Sequence, residues 1–140
     1  MVARTVRRAA TTTTPIRSDR PRWLSDQAQV FFATNLSAAV SPYLVDWMIR
    51  ECEATAPYAV LRLQRETFHT DHRAALAAIT TPTLVVHGAA DFSAPVEVTG
   101  RRTADLLPHA TYEEYATAGH GIFASHRDRL NRDLLDFITK

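Results

Sequence analysis

The sequence predicts an α/β protein in which an all-helical lead-in is followed by a short β-α-β-α run. Two observations predict it. Up to Thr80 the apolar residues recur at helical spacing, and beyond Thr81-Pro82 short β-branched or tyrosine-bearing runs alternate with helical stripes. Leu84, Val85 and Val86, closed by His87-Gly88, then read as a buried strand of a parallel sheet.

The elements follow in order. Ser25-Asp26 can cap a helix over about 25 to 38, whose apolar residues are Ala28, Val30, Phe31 and Phe32. Ser41-Pro42 opens a second helix, with proline in the first turn, and Leu44, Val45, Met48, Ile49 and Cys52 form its stripe. Thr55 and Pro57 announce a third, whose stripe is Val60, Leu61 and either Leu63 or Phe68. Thr70 can cap a short fourth that brings Leu76 and Ile79 to Thr81-Pro82. After the first strand, Pro95 starts a helix and Pro108 follows its end; Thr111 to Ala116 is strand-like, and Gly119 and Gly121 bracket a loop. Ser125, three residues before Asp128, makes a shortened capping-box pattern for a last helix with the stripe Leu130, Leu134, Phe137 and Ile138. The organisation expected is a disordered basic leader over 1–22, a helical segment over 23–70 and an α/β part over 71–140.

Composition narrows the function classes. With 46% apolar and 22% charged residues over 140 positions, the chain has the make-up of an ordinary soluble globular domain. No apolar run reaches the roughly 18 residues that span a bilayer, and the basic N-terminus has no apolar stretch behind it to act as a signal peptide, so the cytoplasm is the expected compartment and no membrane partner is expected. The leader concentrates Arg4, Arg7, Arg8, Arg17, Arg20 and Arg22 against one acid, Asp19, but lacks interleaved aromatics, so no nucleic-acid partner is expected either. The single cysteine, Cys52, cannot form an internal disulfide, and its helical stripe would bury it as a small hydrophobe. His69, Asp71 and His72 have no further ligand cluster, and Asp71 at a helix start suits the helix dipole better than a metal.

The predicted sheet is too small for its content. A parallel pair of strands covered by two helices leaves apolar area and backbone groups exposed, so it normally belongs to a wider sheet. The unpaired edge along Leu84 to Val86 is therefore a surface for a protein partner or for self-association.

Chemistry in a doubly wound sheet sits in the loops beyond the carboxyl ends of the strands. Two such loops are predicted: His87-Gly-Ala-Ala-Asp91 and Ala118-Gly-His120-Gly121. Asp91 and His120 fall at equivalent ends of adjacent strands, where a carboxylate can accept the imidazole Nδ1 proton, fix the tautomer and stabilise the imidazolium of a general base. Either residue alone has a plainer role, Asp91 as a turn cap and His120 as a hydrogen-bonded loop histidine. His87 reads as a strand-end residue packed under the loop, and His109 and His126 as surface residues.

The run Thr81-Pro-Thr-Leu-Val-Val-His-Gly-Ala-Ala-Asp91-Phe-Ser-Ala-Pro95, followed by Leu107-Pro108, Ala118-Gly-His120-Gly and the closing stretch from Gly121 to Ile138, resembles the last two strands and final helix of an α/β-hydrolase. The group it resembles is that of the esterases and non-haem haloperoxidases. The resemblance covers residues 71–140, and 23–70 fit as the helical cap segment. It implies a partial α/β-hydrolase fold with Asp91 and His120 as the catalytic acid and histidine, in the family's order of nucleophile, acid, histidine. It also implies a small ester-like substrate and no cofactor, with perhydrolysis as a side reaction of the same triad that needs neither metal nor haem. Phe31, Phe32, Trp47 and Tyr58 suggest an apolar lining but serve equally as helix-packing residues.

One family feature is missing. The nucleophile elbow G-x-S-x-G belongs on an earlier strand, and Gly88, Gly100, Gly119 and Gly121 stand in no such pattern. Ser93 lies two residues past Asp91, but a loop serine without a strained elbow or oxyanion donors reads as a turn residue. The expectation is thus the C-terminal portion of a serine hydrolase, inactive by itself. The rival readings are a non-catalytic piece that completes the sheet of a separately encoded partner, or a vestigial product.

Overall fold

A computed structural model describes residues 16–36 and 40–140; most of the basic leader, residues 1–15, lies outside the described residues. Its elements in chain order are α1 (Arg20–Phe32), α2 (Pro42–Ala54), α3 (Pro57–His69), α4 (Arg73–Ala77), β1 (Thr83–Gly88), a 3-10 turn (Val96–Val98), α5 (Gly100–Leu106), β2 (Ala110–Tyr115), α6 (Ile122–Ser125) and α7 (Arg127–Ile138). Helices first and then β-α-β-α is the expected order. The described residues divide into two compact units, one within 1–28 and 42–71, the other within 29–41 and 72–140.

In the first unit the helix starts earlier than the Ser25-Asp26 signal suggests. Asp19 supplies the cap, its Oδ1 accepting the Arg22 backbone N–H at 3.1 Å, and Pro21 sits in the first turn, where a missing N–H costs nothing. The Arg20 guanidinium donates to the carbonyl of Thr55 at 2.7 Å and to that of Cys52, which also accepts the Thr55 N–H at 3.1 Å, just where α2 ends. Cys52 is exposed rather than buried. Neither α2 nor α3 has a buried residue, and Tyr43, Trp47, Tyr58 and Leu63 are more than half exposed, so among the described residues nothing covers the stripe that carries Cys52. Thr70 caps the end of α3, its N–H reaching the Glu66 carbonyl, and α4 begins after His72 instead.

In the second unit β1 and β2 form a two-stranded parallel sheet, in register from Thr83↔Ala110 to Gly88↔Tyr115. Residues 83–87 of β1 are half-buried, not fully buried, because a two-stranded sheet lacks the layers that would enclose both faces. The core gathers at the carboxyl end of β2, where Tyr115, Ala118 and Ile122 are buried, with Val86 and Leu130 against them. Tyr115 is wholly enclosed. Its hydroxyl donates to Asp133 on α7, and the Arg129 guanidinium lies 3.8 Å from its ring centre while pairing with Glu113 at 3.1 Å and Asp133 at 3.3 Å. The last helix is thereby pinned to β2. The Ser125-to-Asp128 box is not used: Ser125 ends α6, its Oγ bonding the Gly121 carbonyl and His126, and His126 occupies the cap position of α7 without a side-chain cap bond. His109 is exposed as expected, whereas His126 is half-buried against the Tyr115 ring.

On the other side of the sheet Arg101 of α5 grips Glu114 of β2 through two bonds of 2.9 and 2.8 Å, and the Tyr112 hydroxyl adds a third at 2.6 Å. The bonds from Arg101, then that from Tyr112, pull the Glu114 carboxyl down to about 2. A carboxyl lowered on folding stabilises the fold above its unfolded value of about 4.3 and loses that contribution as pH falls through the folded value. The melting-temperature gap between wild type and Glu114→Gln is therefore expected to be constant near neutrality and to close between about pH 4 and pH 2. A gap that does not change over that range would remove the pair from the stability of this sheet.

Candidate active site

The loops that leave β1 and β2 at their carboxyl ends meet, and the backbone explains how. Ala89 N–H continues the ladder to the Tyr115 carbonyl at 2.9 Å, and Ala90 N–H reaches the Ala118 carbonyl at 3.0 Å. Gly88 permits the approach. A methyl on it would lie 2.2 Å from the Ala118 carbonyl oxygen and 2.5 Å from that of Gly119.

Asp91 and His120 come together across this junction. His120 Nδ1 stands 2.6 Å from Asp91 Oδ2. The two side chains differ sharply in exposure, 2% for the carboxylate and 45% for the imidazole. A buried carboxylate needs partners, and Asp91 has several: its Oδ1 accepts the Ala94 N–H at 2.8 Å, and His87 Nε2 lies 3.3 Å from Oδ2. Asp91 thus caps its own turn and holds a histidine at once. His120 is left with one ring nitrogen occupied by the acid, on a ring that is nearly half open to solvent. Among the described residues no group of three or more His, Cys, Asp or Glu is arranged to hold a metal.

The loop of His120 is held from a direction that strand and loop patterns do not show. Gly121 N–H donates to the Phe31 carbonyl at 2.9 Å, and the Phe31 ring lies 4.8 Å from the imidazole. Phe32 is buried, and Phe31 and Phe32 both face Phe123 at ring separations of 6.4 and 6.3 Å. Space is tight here. A methyl on Gly119 would fall 2.8 Å from Ala33 Cβ, and one on Gly121 would fall 2.3 Å from the Phe32 ring. Ala33 ends α1 in the left-handed region, with φ of 50°, a position usually given to glycine. Phe31 and Phe32, which the sequence left between lining and packing, here do packing work beside His120. Trp47 and Tyr58 belong to the other compact unit. Ser93 lies in the bend between Asp91 and Pro95.

Comparison with known proteins shows this two-stranded parallel sheet and its closing helix to be the C-terminal half of an α/β-hydrolase fold. No family model matches the sequence. Curated relatives do: a non-heme chloroperoxidase of Kitasatospora aureofaciens is 39% identical over 74 residues, covering 51% of this chain and 27% of that protein. A protein of the AB hydrolase superfamily in Bacillus subtilis is 29% identical over 126 residues, covering 86% of this chain and 43% of that protein. Among solved structures, a bromoperoxidase from Bacillus anthracis superposes with a TM-score of 0.89 at 26% identity, over 94% of this chain and 48% of the other. The chain therefore spans less than half the length of these relatives. Among the described residues no helix is long and apolar enough to cross a membrane.

Proposed function

We propose that Asp91 and His120 are the acid and the general base of a serine-type ester hydrolysis, and that the nucleophile comes from sequence outside these 140 residues. The observation that carries this reading is the 2.6 Å contact between a buried Asp91 oxygen and the Nδ1 of a half-exposed His120, at the carboxyl ends of paired parallel strands. Its chemistry follows from the arrangement. With Nδ1–H donated to Asp91, Nε2 is the free base; it takes the serine proton as the hydroxyl attacks the ester carbon and returns that proton to the leaving alcohol. The same nitrogen then activates water to cleave the acyl-enzyme, while Asp91 stabilises the imidazolium in both steps. Residues 71–140 act in this reading as the C-terminal core and 23–70 as cap-like helices, and the open edges of the sheet receive the strands that bear the nucleophile. A relative in Acinetobacter calcoaceticus named a bifunctional esterase/perhydrolase, 35% identical over 49% of this chain and 25% of that protein, supports an ester as the substrate.

The 140-residue chain is expected to show no acyl burst with p-nitrophenyl acetate. Joined to, or produced together with, a hydrolase segment carrying G-x-S-x-G, it is expected to gain turnover that His120→Ala lowers on the order of ten-thousand-fold or more. A burst from the 140-residue chain alone, abolished by His120→Ala, would overturn the claim that the nucleophile lies elsewhere.

A further inference from the structure

We propose that His87 is a positioning residue for Asp91, a proposal that rests on the reading of Asp91 and His120 just given. His87 is the penultimate residue of β1, its side chain is only 13% exposed, and its Nε2 faces oxygens: the Ala94 carbonyl at 2.9 Å, Asp91 Oδ2 at 3.3 Å and the Thr99 hydroxyl at 3.5 Å. A carbonyl and a carboxylate can only accept, so Nε2 carries a proton. The Thr99 hydroxyl has carbonyl acceptors of its own, Pro95 at 2.8 Å and Ala94 at 3.1 Å. Behind the ring stands Gly100, where a methyl would lie 2.6 Å from His87 Cγ and Nδ1.

These contacts close a cycle. His87 bonds the Ala94 carbonyl, the Ala94 N–H bonds Asp91 Oδ1, and Asp91 Oδ2 lies against the same His87 nitrogen that started the circuit. A strand residue, fixed by the sheet, thereby sets the orientation of a carboxylate carried on a turn. The His87 N–H goes to the Ala94 carbonyl with Asp91 Oδ2 close beside it at 3.3 Å, so the turn that carries the carboxylate is held from the strand before Asp91 meets the base. The His87 ring faces the Ala94 carbonyl and Asp91, so it acts through Asp91.

The test is histidine NMR on the 140-residue chain at one fixed pH. Nitrogen shifts are expected to show His87 protonated at Nε2, and the proton between His120 Nδ1 and Asp91 is expected as a low-field resonance. In His87→Phe that resonance is expected to move upfield and to exchange with water about tenfold faster, while His87→Gln, whose amide can donate from a similar place, restores it. Wild-type His87 with a bare Nε2 overturns the proposal and requires no variant to fold. So does a His87→Phe chain, folded by circular dichroism, whose resonance and exchange rate are unchanged. If Asp91→Asn itself leaves the His120 resonance untouched, it is the pairing of acid and base that fails, and the role of His87 falls with it.

Discussion

Tyr115→Ala is expected to destabilise the second unit by about 3–5 kcal/mol, the range for removing a large buried aromatic side chain. Tyr115 is wholly enclosed at the centre of its core, under Val86, Ile122 and Leu130, and its ring carries the Arg129 guanidinium. Tyr115→Phe separates packing from the hydrogen bond. It keeps the ring and loses only the bond to Asp133, a residue with solvent access, so about 1 kcal/mol is expected in urea unfolding. Burial first, and the bond to Asp133 second, push the Tyr115 hydroxyl up to about 12. An acid whose value rises on folding stabilises the fold fully below its unfolded value, about 10, and loses that contribution as pH climbs through the folded value. The stability gap between wild type and Tyr115→Phe is thus expected to hold up to about pH 10 and to shrink toward pH 12. A gap that is flat across this interval would mean that the hydroxyl is not held by Asp133.

Gly88→Ala is expected to cost about 1–3 kcal/mol, the usual penalty of overpacking, and to act on the candidate site more than on the fold. The atoms that the new methyl meets are the Ala118 and Gly119 backbone, not the end of a flexible side chain. Relief requires the loop before His120 to move away from β1. Asp91 lies three residues past Gly88 and its N–H bonds the Gly88 carbonyl at 3.2 Å, so acid and base are expected to separate. The measurement is the low-field His120 proton together with the urea midpoint. A variant that loses the resonance while keeping most of its stability matches the expectation; one that keeps the resonance shows that the two loops do not depend on that close approach.

The meeting of Asp91 and His120 was legible because it needs only local information: two short strands, the rule that loops at strand carboxyl ends face one another, and a carboxylate and an imidazole in them. The helices α2 and α3 were legible from their opening prolines and spacing. Capping was less so, because Ser-x-x-Asp and a lone Thr match the pattern by chance: Thr70 and Ser125 were passed over, and Asp19, inside what looked like a featureless basic leader, does the capping. His87 read as packing, since nothing in a strand sequence tells which oxygens a ring nitrogen will face. The support of the His120 loop by Phe31 and Ala33 was hidden for a different reason. It joins residues far apart along the chain through a backbone carbonyl and through the smallness of Gly119 and Gly121, neither of which leaves a side-chain signature.

That support also bears on how the molecule can be cut. The natural place to excise the strand-bearing part is the junction near Asp71, where helices give way to strands. Such a fragment would contain both β1 and β2 and both residues of the pair, yet it would leave behind residues 29–41, which belong to the same compact unit. With them go the carbonyl on which Gly121 hangs and the Ala33 methyl against which Gly119 rests. The smallest piece that keeps the histidine loop in place is discontinuous in sequence, so protein engineers who want it as one polypeptide must splice 29–41 back on or permute the chain.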